Sequence, residues 1–249
     1  MKVGIISGRY PRTNFDSYVN HKVYADLYGY TYIHCNWPTK HKNKYLNKIE
    51  YILYAFSFFD YIVWIDDDAF FYDFSKDVFQ YSPQGEQFLS ACESPTFKEL
   101  KTYFSSGQFV LRCTPLAKQF LLDILKTDIA LVKSWWPKEM GYYTGGDQDI
   151  MIYLFHEKIE YKKGLQLYEY KCFNSRAANL FDTDVHKPLI LHFTGKPDIK
   201  NYDYKQVQIE KGLDSSLVPK EILSEYNLVK QKEEKGFWFK ILKRLRLCF

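Results

Sequence analysis

The chain has 249 residues, 46% hydrophobic and 26% charged, a balance that suits one large α/β domain and excludes a disordered or collagen-like polymer. Lys and Arg number 34 against 30 Asp and Glu, a formal net charge of +4. The cations Lys235, Lys240, Lys243, Arg244 and Arg246 lie at the C-terminal end with no acid among them, so the body is near neutral, which argues against a protein that coats nucleic acid.

Residues 3–7 form a β-branched run ending at Gly8 and are predicted as a buried first strand. Residues 17–28 space Tyr18, Val19, Val23, Ala25 and Leu27 helically and stop at Gly29, as a helix C-terminus does. Residues 30–35 are strand-like, 45–59 helical, and 61–65 another buried strand. This β-α-β-α-β beginning predicts a parallel sheet with helices on its faces. Further on, residues 88–92, 108–113 and 188–193 are predicted strands, and 116–125 and 147–156 helices. Residues 134–146, rich in Trp, Tyr and Gly, are expected as a long loop beside the carboxyl ends of the strands, where ligands usually bind. Cys35, Cys92, Cys113, Cys172 and Cys248 contain no C-x-x-C pair, which fits a reduced chain rather than a disulfide or zinc framework. The apolar run at the start is too short for a signal peptide, so a cytoplasmic setting is expected.

The sharpest local feature is Trp64-Ile65-Asp66-Asp67-Asp68-Ala69-Phe70. Three adjacent carboxylates after an apolar strand repel one another unless a cation neutralises them. Residues two apart in extended chain point the same way, so Asp66 and Asp68 can converge on a hard ion such as Mg²⁺ or Mn²⁺. A solvated acidic turn is the plainer alternative. His192 ends a second apolar run and is followed by Gly195 and Lys196, which fits an imidazole ligand beside backbone amides and an ammonium for phosphate. Gly145-Gly146-Asp147-Gln148-Asp149 opens a helix, where Asp147 can serve as a cap. Phe104-Ser105-Ser106-Gly107-Gln108-Phe109 is a small-residue turn that lets a ligand approach the backbone.

The order W-I-D-D-D-A, S-S-G-Q-F, G-D-Q-D and H-F-T-G, from about Val3 to Lys196, resembles the retaining glycosyltransferases of family thirty-four, the galactosyl-, xylosyl- and mannosyltransferases. The resemblance implies a GT-A fold, an α/β Rossmann-like mixed sheet flanked by helices. It also implies a nucleotide-sugar donor, UDP-linked before GDP-linked and carrying a hexose or pentose, and a bound Mn²⁺ or Mg²⁺. By position, Asp66 and Asp68 match the Asp-x-Asp pair for ribose and metal, His192 the third protein ligand, and Gly195 and Lys196 the diphosphate contacts. Gln148 matches a position near the reacting sugar carbon, with Asp147 and Asp149 flanking it, and Lys48 matches a lysine near the donor. Ser7, Arg9, Tyr10, Asp67, Ser106 and Gly107 are expected around the donor on the same grounds. The turn reads Ser105-Ser106-Gly107 where the family has Asn-Thr-Gly. An amide at Gln148 is a poor nucleophile, so front-face retention is expected rather than a double displacement.

The expected domains are a catalytic unit at 1–217 and a helical appendage at 218–249. In the tail, Trp238, Ile241, Leu242, Leu245 and Phe249 share one helical face, with Lys240, Lys243 and Arg244 mostly opposite. Such a basic amphipathic helix fits adsorption to an anionic membrane surface, near glycan or lipid-linked glycan acceptors, with docking onto the domain as the alternative. The rival functions are a metal-dependent nucleotidyltransferase or nuclease, and an inactive sugar-binding protein at the membrane surface.

Overall fold

A computed structural model describes residues 1–96, 102–181 and 187–227. The predicted tail helix lies outside the described residues. β1 (Val3–Gly8) pairs in parallel with β2 (Thr31–Cys35) on one side and β3 (Tyr61–Ile65) on the other. α1 (Ser17–Leu27) and α2 (Asn47–Ala55) make the two crossovers. The parallel start is therefore as predicted. The helix expected over 45–59 is shorter, with single turns of tighter helix at Lys44–Leu46 and Phe56–Phe58 flanking α2.

Beyond β3 the sheet becomes mixed. β6 (Gln108–Arg112) runs antiparallel to both β3 and β5 (Leu89–Cys92), and β7 (Leu165–Tyr168) pairs in parallel with β5 at the edge. The strand order is β2-β1-β3-β6-β5-β7. Side chains alternate between its faces, as the two-residue period of a strand requires. Ile62 and Trp64 join a cluster beneath α2, α3 (Pro115–Lys126) and α5 (Asp147–Glu157), whereas Val63 and Ile65 join one beneath α1.

A separate two-stranded ribbon carries the consequence for function. β4 (Ala69–Phe71) begins immediately after the Asp66–Asp68 turn and pairs antiparallel with β8 (Ile190–His192), Ala69 opposite His192. The ribbon is seated on Phe15, Phe193, Tyr204 and Val207, the last two from α6 (Pro197–Lys211). Edge-to-face pairs such as Phe70–Phe193, centroids 5.7 Å apart, lock it in place. Residues 134–146 are less of a loop than expected. α4 (Ile129–Trp135) takes their start, and Asp128 caps it by accepting from the Ala130 amide at 2.9 Å. After α6 the chain returns to the sheet: Val218 is buried in the cluster beneath α1, and the Tyr226 hydroxyl donates to Asp26 at 2.7 Å. Among the described residues, no helix is long and apolar enough to cross a membrane.

Candidate metal and donor site

A cleft of about 490 Å³ opens at the carboxyl ends of β1 and β3, closed on one side by the start of α5. Its floor is assembled from three distant stretches of chain. The turn after β3 supplies Asp66, Asp67 and Asp68; the turn before β6 supplies Ser106 and Gly107; the end of β8 supplies His192. Main-chain bonds fix these turns against one another. The Asp66 amide donates to the Gly107 carbonyl at 2.7 Å, and the Phe193 amide to the Asp68 carbonyl at 2.9 Å. Ligand atoms of Asp66, Asp68 and His192 all lie within 4.8 Å of one another.

These residues fit a divalent cation on their own chemistry. Two carboxylates and an imidazole are a hard, mixed O/N donor set of the sort that takes Mn²⁺ or Mg²⁺. Oδ1 of Asp68 is buried and accepts no hydrogen bond, although it lies 3.3 Å from Nε2 of His192. An orphaned carboxylate oxygen in the interior is costly unless a cation meets it. The other Asp68 oxygen is paired with the ammonium of Lys200. Burial alone pushes the Asp68 carboxyl up, but the Lys200 ammonium paired with it helps hold it below the usual carboxylate range. Burial pushes Asp66 up despite the nearby Lys48 ammonium, and pushes Asp67 to about 6 with the Asp68 charge adding to it. Burial also lowers His192, against the pull of Asp68. Three crowded acids with only partial compensation favour a bound cation.

Behind the donor set, Lys48 is buried on α2 and serves as a fixed counter-charge. Its ammonium lies 3.2 Å from Asp66 and 3.0 Å from Asp147, and donates to the Ser106 carbonyl at 2.7 Å. Burial opposes its charge, but the two carboxylates prevail and raise its pKa. Asp66 Oδ1 also accepts from the Trp64 indole at 2.7 Å. Asp67 points elsewhere and accepts from the Thr13 hydroxyl at 2.6 Å.

Arg9, Lys48, Asp66, Asp67, Asp68, Ser106, Gly107, Asp147, Gln148, His192 and Gly195 all line the cleft. Four other expected residues are placed differently. Ser7 is wholly buried within β1, and Tyr10 is 41% exposed outside the lining. Asp149 is buried behind the cleft wall, where one oxygen accepts from the amides of Thr144 at 2.8 Å, Gly145 at 2.5 Å and Gly146 at 3.3 Å. It shapes the glycine loop rather than facing a ligand. Lys196 is exposed at the start of α6, and Lys200, one turn further on, is the lysine that reaches the acids. Sequence reasoning passed over Lys200, Thr13 and Asn174; a lysine one helical turn beyond Lys196 was a usable signal only once α6 was recognised.

No protein-family model matches the chain, and no curated protein matches it. Solved structures do. A glycosyltransferase involved in the glycosylation of the major capsid of PBCV-1 matches with a TM-score of 0.61 at 11% identity, over 82% of this chain and 99% of that one. The glycosyltransferase GlyE of Streptococcus pneumoniae TIGR4 gives 0.49 at 14% identity, over 92% of this chain and 65% of its own. The galactosyltransferase LgtC, solved in complex with donor and acceptor sugar analogs, gives 0.44 at 16% identity, over 89% and 98%. These matches do not single out family thirty-four. The mixed six-stranded sheet flanked by helices, and its likeness to the first of these structures, give the chain a fold of the GT-A type.

Proposed function

We propose that the chain is a metal-dependent glycosyltransferase that moves a sugar from a nucleotide sugar, preferably UDP-linked, to a glycan acceptor with retention of configuration. One observation carries this reading: Asp66, Asp68 and His192, drawn from segments far apart in the chain, converge within 4.8 Å in a cleft that also presents Gln148 and Gly195. Asp66, Asp68 and His192 would hold Mn²⁺ or Mg²⁺, which when bound supplies Lewis-acid neutralisation of a diphosphate leaving group.

The remaining groups bind, orient and stabilise. Lys200 brings a positive charge to the cleft, which suits the charge that develops on a departing diphosphate. Gly195 has φ +100°, a conformation L-residues rarely adopt, and lines the cleft where backbone close to a phosphate is useful. Gln148 is held by its own carbonyl, which accepts from the Ser106 amide at 3.1 Å. That bond orients an amide, not a carboxylate, beside the reacting centre. Asp147 is ion-paired with Lys48 and Asp149 is engaged by the glycine loop, so neither is a free nucleophile. Front-face transfer follows, with the departing phosphate oxygen taking the acceptor hydroxyl's proton. The rings of Tyr45 and Tyr142, 47% and 59% exposed in the cleft lining, offer flat faces to a sugar acceptor.

Its setting is read from the tail. Its basic amphipathic pattern supports peripheral attachment to an anionic membrane surface from the cytoplasmic side, where lipid-linked acceptors for cell-surface glycans are at hand. A thermal-shift panel of nucleoside diphosphates with and without Mn²⁺ tests the function. UDP with Mn²⁺ should stabilise the protein by about 2–3 kcal/mol at a hundredfold excess over its dissociation constant. A panel in which no nucleotide stabilises the protein in a metal-dependent way would overturn the reading.

A further inference from the structure

Behind the cleft, three polar groups meet on one atom. Oδ1 of Asn174 faces Nδ1 of His192 at 3.0 Å and accepts from Nη1 of Arg176 at 2.7 Å and from the Gln108 side-chain amide. Asn174 itself is fully buried, and its Nδ2 donates to the Glu93 carbonyl at 3.0 Å. The orientation of the Asn174 amide is thereby determined, because a guanidinium can only donate and a backbone carbonyl can only accept. The atom facing His192 is an acceptor. A ring nitrogen 3.0 Å from it must therefore carry the proton. The opposite nitrogen, Nε2, lies 3.3 Å from Oδ1 of Asp68, an oxygen that accepts no hydrogen bond, and so turns a lone pair toward the acids.

We propose that Asn174 is a positioning residue that fixes His192 as the Nδ1–H tautomer and so presents a bare Nε2 to the cation held by Asp66 and Asp68. The inference rests on the metal reading above and adds the residue that makes the imidazole a ligand. Arg176 and Gln108 are the anchors of that residue: Arg176 also donates to the Asn174 carbonyl at 2.8 Å, tying side chain and backbone to one guanidinium. The His192 ring is held from the other end as well, since its own backbone amide donates to the Ser175 carbonyl at 2.8 Å, the residue after Asn174. Partners of this sort behind a ligating histidine set its ring orientation and basicity, and their loss typically costs 10- to 100-fold in metal affinity.

The test combines two measurements on the full chain. Long-range ¹⁵N–¹H spectra of metal-free, ¹⁵N-histidine-labelled protein report the tautomer, with His192 assigned by the signals lost in His192→Asn. Mn²⁺ titrations followed by electron paramagnetic resonance report affinity in the wild type, Asn174→Leu and Asn174→Asp. We expect a protonated Nδ1 and a bare Nε2 in the wild type. Mn²⁺ affinity should fall at least tenfold in Asn174→Leu and stay within a few-fold in Asn174→Asp, which keeps the acceptor. A wild-type His192 protonated on Nε2, or a folded Asn174→Leu with unchanged Mn²⁺ affinity, overturns the proposal. Should Asn174→Leu fail to fold, the wild-type spectrum still decides, because it needs no variant at Asn174. Absence of Mn²⁺ binding in the wild type counts against the proposed function, while the tautomer measured without metal still decides the role of Asn174.

Discussion

An alanine at Gly107 would place its Cβ 3.1 Å from both ring nitrogens of His192 and well inside 3.0 Å of Cε1, a separation that real Cβ atoms do not show. Ordinary carbon–carbon contact begins at about 3.5 Å, so the ring must withdraw by about 1 Å. It has little room to do so. His192 is only 7% exposed, is tied to Asn174 at 3.0 Å, and sits on a strand whose partner, Ala69, is fully buried. Ligand distances in a metal site are held to about 0.2 Å, so a displacement of this size removes the imidazole from the coordination sphere. Mn²⁺ affinity should drop by about 100-fold, and the overpacked floor should lose about 1–3 kcal/mol of folding stability. Gly107 is free of left-handed backbone conformation, so the steric contact alone is at issue. Mn²⁺ titration and urea unfolding of Gly107→Ala provide the two readings. A folded variant that binds Mn²⁺ like the wild type would refute the reasoning, because it would mean that His192 is not held against Gly107 as described.

Further expectations differ in what they probe. Asp68→Ala, which deletes a ligand, should nearly abolish sugar transfer, whereas Gln148→Ala should lower turnover only partially; equal total loss in both, with a trapped glycosyl-enzyme in the wild type, would favour a double displacement. His21, wholly buried with Nε2 bonded to the Ala69 carbonyl at 2.8 Å, is lowered by burial to about 3. Its unfolded form therefore binds a proton that the folded form does not between about pH 6.5 and 3, and stability falls as pH drops through that window. From pH 7 to 4.5 this one group should cost about 2–3 kcal/mol, and urea unfolding of His21→Gln should lose that share of the pH dependence; an unchanged profile would remove His21 as its source. Deleting residues 236–249 should release the protein from anionic vesicles in a flotation assay without impairing donor hydrolysis, and undiminished vesicle binding would rule out the tail as the anchor.

Much of the sheet was legible because its strands are apolar runs closed by Gly, Asp or Cys and its first helix stops just before Gly29. What escaped was set by tertiary contact. β4 is three residues long and carries no period of its own; it exists because β8, more than a hundred residues later, offers it a hydrogen-bonding edge. α6 buries only Tyr204 and Val207, so its apolar signal is thin, although Pro197 at its start and Gly212 at φ +62° mark its ends. At the site, Asp66 and Asp68 converge as expected, but on a turn closed by the Ala69 amide donating to the Asp66 carbonyl at 3.1 Å rather than on extended chain. Two residues matched by resemblance lie elsewhere: Asp149, at the third position of α5, holds the loop instead of lining the cleft, and Lys196 is exposed while Lys200, one turn on, does the pairing. Asn174 lies in Cys172-Phe173-Asn174-Ser175-Arg176, a stretch with no local pattern, and its role depends entirely on what the fold brings to it.

Anomalous diffraction from crystals grown with Mn²⁺ and UDP tests the central claim most directly. The account predicts a single manganese peak within coordination distance of Asp66, Asp68 and His192, with the UDP diphosphate beside it. Clear density for UDP with no manganese among those three side chains would contradict it.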